Sequence, residues 1–149
     1  MMRVLVIALV GPLGPLVAAC DLAPDTGPPR SDRCSDEDGD PARAVSFPRD
    51  VRPLIARLCA VCHYPGGDDP IGLREGGLDL SSHARLVEGG VRSAGTIVQP
   101  GAPCASVLYL KVTPGPPFGA RMPLDGPPYL TADEQALIHD WIAEGARSE

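Results

Sequence analysis

The chain has 149 residues, of which 44% are hydrophobic but only 4% aromatic, and it carries a formal charge of −6 with a single lysine, Lys111. That length suits one domain of about 100 residues with extensions, and the charge excludes a nucleic-acid binder or a polybasic membrane-surface protein. Seventeen glycines and eighteen prolines impose turns over much of the chain, so the expected fold is mostly α, with short helices, irregular loops and something other than aromatic side chains filling the centre.

Residues 1–19, MMRVLVIALVGPLGPLVAA, place Arg3 before an apolar run that ends on small residues, the layout of a secretory signal peptide. The run is too short for a membrane span and is broken by GPLGP. With the next residue it ends VAAC, which resembles a bacterial lipobox; Cys20 is then acylated and becomes a lipid anchor. The alternative is cleavage nearby that leaves Cys20 a thiol. Either route carries the mature chain out of the cytoplasm, where disulfides are permitted.

Residues 20–45 contain almost no large apolar side chain and carry three arginines against seven acids, so they read as a flexible linker. The acidic cluster Asp36, Glu37, Asp38 and Asp40 lacks the later bidentate glutamate of a calcium loop and reads as solvated. Residues 46–149, with nine basic and twelve acidic side chains, form the folded domain.

Within the domain, Val51, Leu54, Ile55 and Leu58 follow helical spacing and predict a helix near 50–61, with Pro53 accommodated in its first turn. Short helices are expected near 82–88, between a serine and a Gly-Gly pair, and near 104–112. TADE, Thr131 to Glu134, is a capping box that opens the clearest helix. Leu137, Ile138, Trp141 and Ile142 form its apolar stripe, and Gly145 can stop it in the left-handed conformation. Strand-like alternation is weak throughout.

The first of these helices runs into Cys59-Ala-Val-Cys62-His63. At this composition, chance supplies roughly three such C-x-x-C-H matches per thousand chains of this length. A redox dithiol would sit where a strand enters a helix, and no such pattern precedes Leu58. Zinc needs four ligands, and Cys34, Cys104, His83 and His139 form no second pair. Covalent haem attachment accounts for the spacing: two thiols one helical turn apart can each add to a vinyl group of one porphyrin while the adjoining imidazole reaches the iron. One covalent haem c is therefore expected. A sixth ligand would come from Met122, His83 or His139. Met122 lies in a Gly/Pro-rich loop before the last helix, whereas the two histidines read as surface imidazoles. A thioether favours ferrous iron and closes the sixth position, as an electron carrier requires.

These residues resemble the class I-like monohaem cytochromes c, in particular the cytochrome c domains of bacterial envelope proteins. The similarity covers residues 46–147 and rests, in order, on FPRDVRPLIARLCAVCH, GGLDLSSHARLVEGG, IVQPGAPCASVLYL, RMP and LTADEQALIHDWIAEGA. It implies a small cytochrome c-like domain in which the first and last helices cross beside the haem. Cys59 and Cys62 would then be thioether anchors, His63 the proximal ligand and Met122 the distal one, with Phe47 and Trp141 near the crossing or the haem edge. Ala102 stands where relatives often carry a polar helix cap, and Cys104 is an unusual neighbour. The lysine ring that many soluble members place around the haem edge is missing; Arg52, Arg57 and Arg121 could replace it or be ordinary surface arginines. Cys34 and Cys104 are left over, to pair as a disulfide across a long loop or to remain thiols.

The function expected is single-electron transfer by a monomeric, lipid-anchored protein on the periplasmic side of the cell envelope. Its partners would be other redox proteins and the membrane, and it would not itself be an enzyme. The rival readings are a haem enzyme or ligand sensor with an open sixth site, and a haem-free interaction lipoprotein with a Cys59–Cys62 disulfide.

Overall fold

The structure, a computed structural model, describes residues 34–93 and 95–149; the signal peptide, Cys20 and the linker as far as Arg33 lie outside the described residues. Among the described residues there is no strand, and the domain is built from short helices. A π-helical turn, Phe47–Val51, leads into α1 (Arg52–Leu58), followed by α2 (Ala60–His63), α3 (Ile71–Gly76) and α4 (His83–Glu88). A 3₁₀ turn, Pro103–Ala105, then precedes α5 (Val107–Val112) and α6 (Ala132–Ala143).

The chain enters its first helical segment earlier than the apolar spacing predicts. Ser46 caps the π-turn by accepting from the Arg49 N–H, and Asp50 accepts from the Ser46 N–H at 2.9 Å. The Arg49 guanidinium, with that amide, holds the Asp50 carboxyl below its ordinary range. Pro53 lies in the first turn of α1, where its missing N–H leaves no helical bond unmade. At the other end of the domain, Thr131 and Glu134 form both bonds of the capping box of α6.

The two ends of the domain meet around Trp141. Its ring lies 5.3 Å from that of Phe47 and 5.9 Å from that of His83, and Phe47 and His83 stack edge to face at 5.1 Å. Val51, Ile55, Leu86, Ile97, Ile138 and Ile142 complete the buried interior; burying each such side chain is worth about 1.5–3 kcal/mol. After α6 the chain hooks back. Gly145 and Ala146 take φ of 100° and 52°, a left-handed ending that ordinarily demands glycine. At Ala146 it is held by three bonds: its N–H to the Trp141 carbonyl (2.8 Å), His83 Nε2 to the Ala146 carbonyl (2.8 Å), and Trp141 Nε1 to the Arg147 carbonyl (2.9 Å).

Residues 34–45, which composition assigns to the linker, are docked as a strap across α6 and the 3₁₀ turn. Cys34 is joined to Cys104, with 5.8 Å between Cα atoms. The Asp36 carboxylate accepts from the Cys104 N–H at 2.8 Å, supplying from the strap the polar cap that Ala102 lacks. Gly39 N–H donates to Asp140 (3.0 Å), Ser35 accepts from His139 (2.7 Å), and Val45 N–H donates to Glu144 (2.9 Å). The strap is polar because its partners are carboxylates and an imidazole on α6 rather than an apolar face.

The cross-link closes a separation of 70 residues, which the chain-entropy account values at about 4 kcal/mol. Replacing both cysteines by serine should reduce the unfolding free energy by that order and speed tryptic cleavage after Arg43 in the native protein. Unchanged denaturation midpoint and unchanged cleavage rate would show that the strap stays docked without its cystine.

Candidate cofactor site

The turn that carries the two thiols is built from a helix that falters at Cys59. The Cys59 N–H still bonds the Ile55 carbonyl at 2.8 Å, but its backbone leaves the helical region (φ −123°, ψ −18°). Its carbonyl then starts α2 by accepting from Cys62 N–H (3.2 Å) and His63 N–H (2.9 Å). Cys59 and Cys62 therefore stand one turn apart with His63 next in line, and both are free thiols. Cys59 packs with Leu58 against the core. Burial, reinforced by the neighbouring Cys62, pushes its thiol up from 9.0 to about 12. Val61 and Ile71 remain exposed beside this turn.

His63 is held by three features that spacing alone does not reveal. Its Nδ1 lies 3.0 Å from the Leu78 carbonyl oxygen. A carbonyl can only accept, so Nδ1 bears the proton and the Nε2 lone pair is left for a metal. The His63 carbonyl accepts from Leu80 N–H at 3.0 Å. Gly72, near the start of α3, lies so close that a Cβ there would sit 2.4 Å from the imidazole Cε1. The bare α-carbon is what allows α3 to rest on the ring. Gly67 plays a similar part at α2, where a Cβ would fall 2.3 Å from the Val61 carbonyl oxygen. A cavity of about 300 Å³ opens at this loop, but none of Cys59, Cys62 and His63 lines it.

Met122 is half-buried and packs against the same core as Cys59. Its loop is fastened to the end of α5 rather than to the dithiol turn: Met122 N–H donates to the Lys111 carbonyl at 2.8 Å, and Arg121 Nε donates to the Val112 carbonyl at 2.9 Å. Burial, with Arg92 nearby, lowers the Lys111 ammonium from its ordinary range. Of the arginines considered for a docking role, Arg57 is ion-paired to Glu134 and Arg121 lies over the Tyr129 ring, while Arg52 is exposed.

The expectation that His83 and His139 are surface imidazoles is corrected. Both are bonded to backbone carbonyls distant in sequence, and neither lies free at the surface. His83 closes the hook after α6, and His139 bridges Asp140 Oδ1 (2.8 Å) and the Ser35 carbonyl (2.7 Å), with Tyr109 edge-on at 5.1 Å. Burial and the adjacent Asp140 push the Tyr109 phenol up. The two imidazoles belong to the fold, which leaves Met122 as the donor of the three that is not engaged in this way.

The donor set suits a covalent haem c: two free thiols a turn apart, an adjoining imidazole with one nitrogen fixed, and a thioether on a braced loop. Among the described residues, no three or more His, Cys, Asp or Glu side chains converge as a metal-binding group, so the described residues offer the dithiol no tetrahedral protein-only ligand set. Comparison with protein-family models, with curated proteins and with solved structures finds no match.

Two outcomes are expected. Gly72→Ala, which on an open helix would be stabilising, should instead destabilise by about 1–3 kcal/mol because the methyl overlaps His63; thermal unfolding reads the sign. For Cys59 the folded state holds the proton more tightly than the unfolded chain. Its contribution is thus fully present below pH 9.0 and lost as the pH rises towards about 12. Cys59→Ser in the haem-free chain should flatten that alkaline decline, measured by denaturant titration across the same pH range.

Proposed function

We propose that this chain is a cytochrome c-like electron carrier of the bacterial cell envelope, lipid-anchored through Cys20 and holding one haem c. Cys59 and Cys62 would form the thioether bonds, and His63 and Met122 would bind the iron. The observation that carries this reading is the orientation of His63. A donated Nδ1–H fixes the tautomer, α3 fixes the ring, and the remaining nitrogen belongs to a residue directly after two unpaired thiols in the chain.

A haem iron held by imidazole and thioether supplies a one-electron couple with no open position for oxygen chemistry. This chain's residues then have distinct tasks. Cys59 and Cys62 lock the group in place so that it cannot exchange. The Leu78 carbonyl, by accepting the Nδ1 proton, would hold the imidazole in the tautomer and orientation that present Nε2 to the iron. Cys59 and Met122 both pack against the one apolar core, which would keep the thioether bond and the distal sulfur on the domain's apolar side. The fold leaves no lysine for steering, since Lys111 is engaged with its own loop. Docking would rely on Arg52 and on the apolar surface at Val61 and Ile71, with a membrane or periplasmic redox protein as partner.

The test is expression with cytochrome c maturation machinery. The matured protein should weigh more than its polypeptide and acyl groups by one haem, stain for haem on a denaturing gel, and show the near-infrared sulfur-to-iron band when oxidised. Met122→Ala should lose that band, bind carbon monoxide and fall in potential, axial ligands setting potentials over a range of about 0.8 V. A colourless wild-type product with a Cys59–Cys62 disulfide would overturn the reading. A red product that binds carbon monoxide without any substitution would make it an open-site haem protein instead.

A further inference from the structure

We propose that Lys111, the chain's one lysine, is a positioning residue that holds the Met122 sulfur in its ligating place; the inference rests on the haem reading. Its side chain is half-buried at the end of α5 and, among the described residues, is paired with no carboxylate. The ammonium donates instead to the carbonyls of Phe118, at 2.8 Å, and Ala120, and lies 4.9 Å from the centre of the Phe118 ring. Both carbonyls belong to the segment that leads into Met122. The backbone of the same lysine accepts the Met122 N–H, so one residue grips the loop from side chain and main chain at once.

A second clasp closes the loop from its far side. Arg121 reaches back to the Val112 carbonyl and lies 4.3 Å from the centre of the Tyr129 ring. Gly126 rests on that ring so closely that a Cβ would fall within 2.5 Å of it. The loop is thus folded on itself by its own contacts. Taking an ammonium partly out of water is unfavourable unless fixed acceptors replace its hydration. Here the acceptors are loop carbonyls, so the charge is satisfied only while the loop keeps the shape that presents Met122. A loop that merely connected α5 to α6 would need no such charge.

The experiment compares matured wild type, Lys111→Met and Lys111→Arg. Lys111→Met keeps the apolar stem and removes all donors, whereas Lys111→Arg restores charge and donors. In Lys111→Met the oxidised sulfur-to-iron band should weaken and the carbon monoxide rate of the reduced protein should rise by roughly tenfold to a hundredfold, as expected for a lost charge-assisted hydrogen bond. Haem content and far-ultraviolet circular dichroism should stay at wild-type values, and Lys111→Arg should recover most of the band. If Lys111→Met does not accumulate, Lys111→Gln, which keeps an amide donor without the charge, should show a smaller change in the same direction. A band and a carbon monoxide rate identical to wild type in Lys111→Met, or in Lys111→Gln where it stands in, would overturn the inference alone. Absence of the band from wild type would instead overturn Met122 ligation, and this inference with it.

Discussion

The contact of Trp141 with Phe47 and His83 joins the first helical segment of the domain to the last, and the rest of the structure is arranged around it. α6 brings Trp141, Ile138 and Ile142 inward, while the π-turn and α1 bring Phe47, Val51 and Ile55 to meet them. The hook after α6 is part of the same contact, because His83 and Trp141 each use a ring N–H to hold its carbonyls. The chain has only two phenylalanines and one tryptophan. This cluster takes the tryptophan and one of the phenylalanines, and α1 runs on from its side of the domain to Leu58. The dithiol turn begins at that end.

Two further places are braced by other groups. The imidazole of His63 is oriented by a backbone carbonyl and backed by a glycine, neither of which can swing away as a side chain could. The Met122 segment lies outside any helix and is held by hydrogen bonds and ring contacts from the end of α5 and from within itself. The two constructions differ because a C-x-x-C-H turn is short enough to be positioned by its neighbours, whereas a Gly/Pro-rich loop must carry its own bracing.

Much of this is legible in the sequence where local chemistry decides it. The capping box, the stripe of α6, the helix before Cys59 and the Ser82 cap all depend on neighbours within a turn, and the structure has them all, although the helical segment before Cys59 begins earlier, at Phe47, and breaks at Cys59. α3 leaves no such trace, because IGLREG has no capping side chain and two glycines. The strap has the composition of a linker because its attachments are polar: Asp140 and Glu144 face its amides, and a polar segment bound to polar side chains leaves no apolar period to detect. His83 and His139 look like surface imidazoles for a related reason, since the carbonyls they bond are distant in sequence. Gly72 shows the limit most plainly. Nothing in LCAVCHYPGG or its flanks says which of several glycines will meet the imidazole.

The bond from Cys34 to Cys104 also sets a radius. Were Cys20 acylated as proposed, only the fourteen residues to Cys34 would separate lipid from folded protein, instead of the twenty-six to Ser46. At no more than about 3.6 Å per residue, the leash would be about 50 Å rather than about 90 Å. On the proposed reading, the domain would be confined to a shallower layer above the bilayer, its local concentration there would be several-fold higher, and only acceptors seated at that height would be within its range.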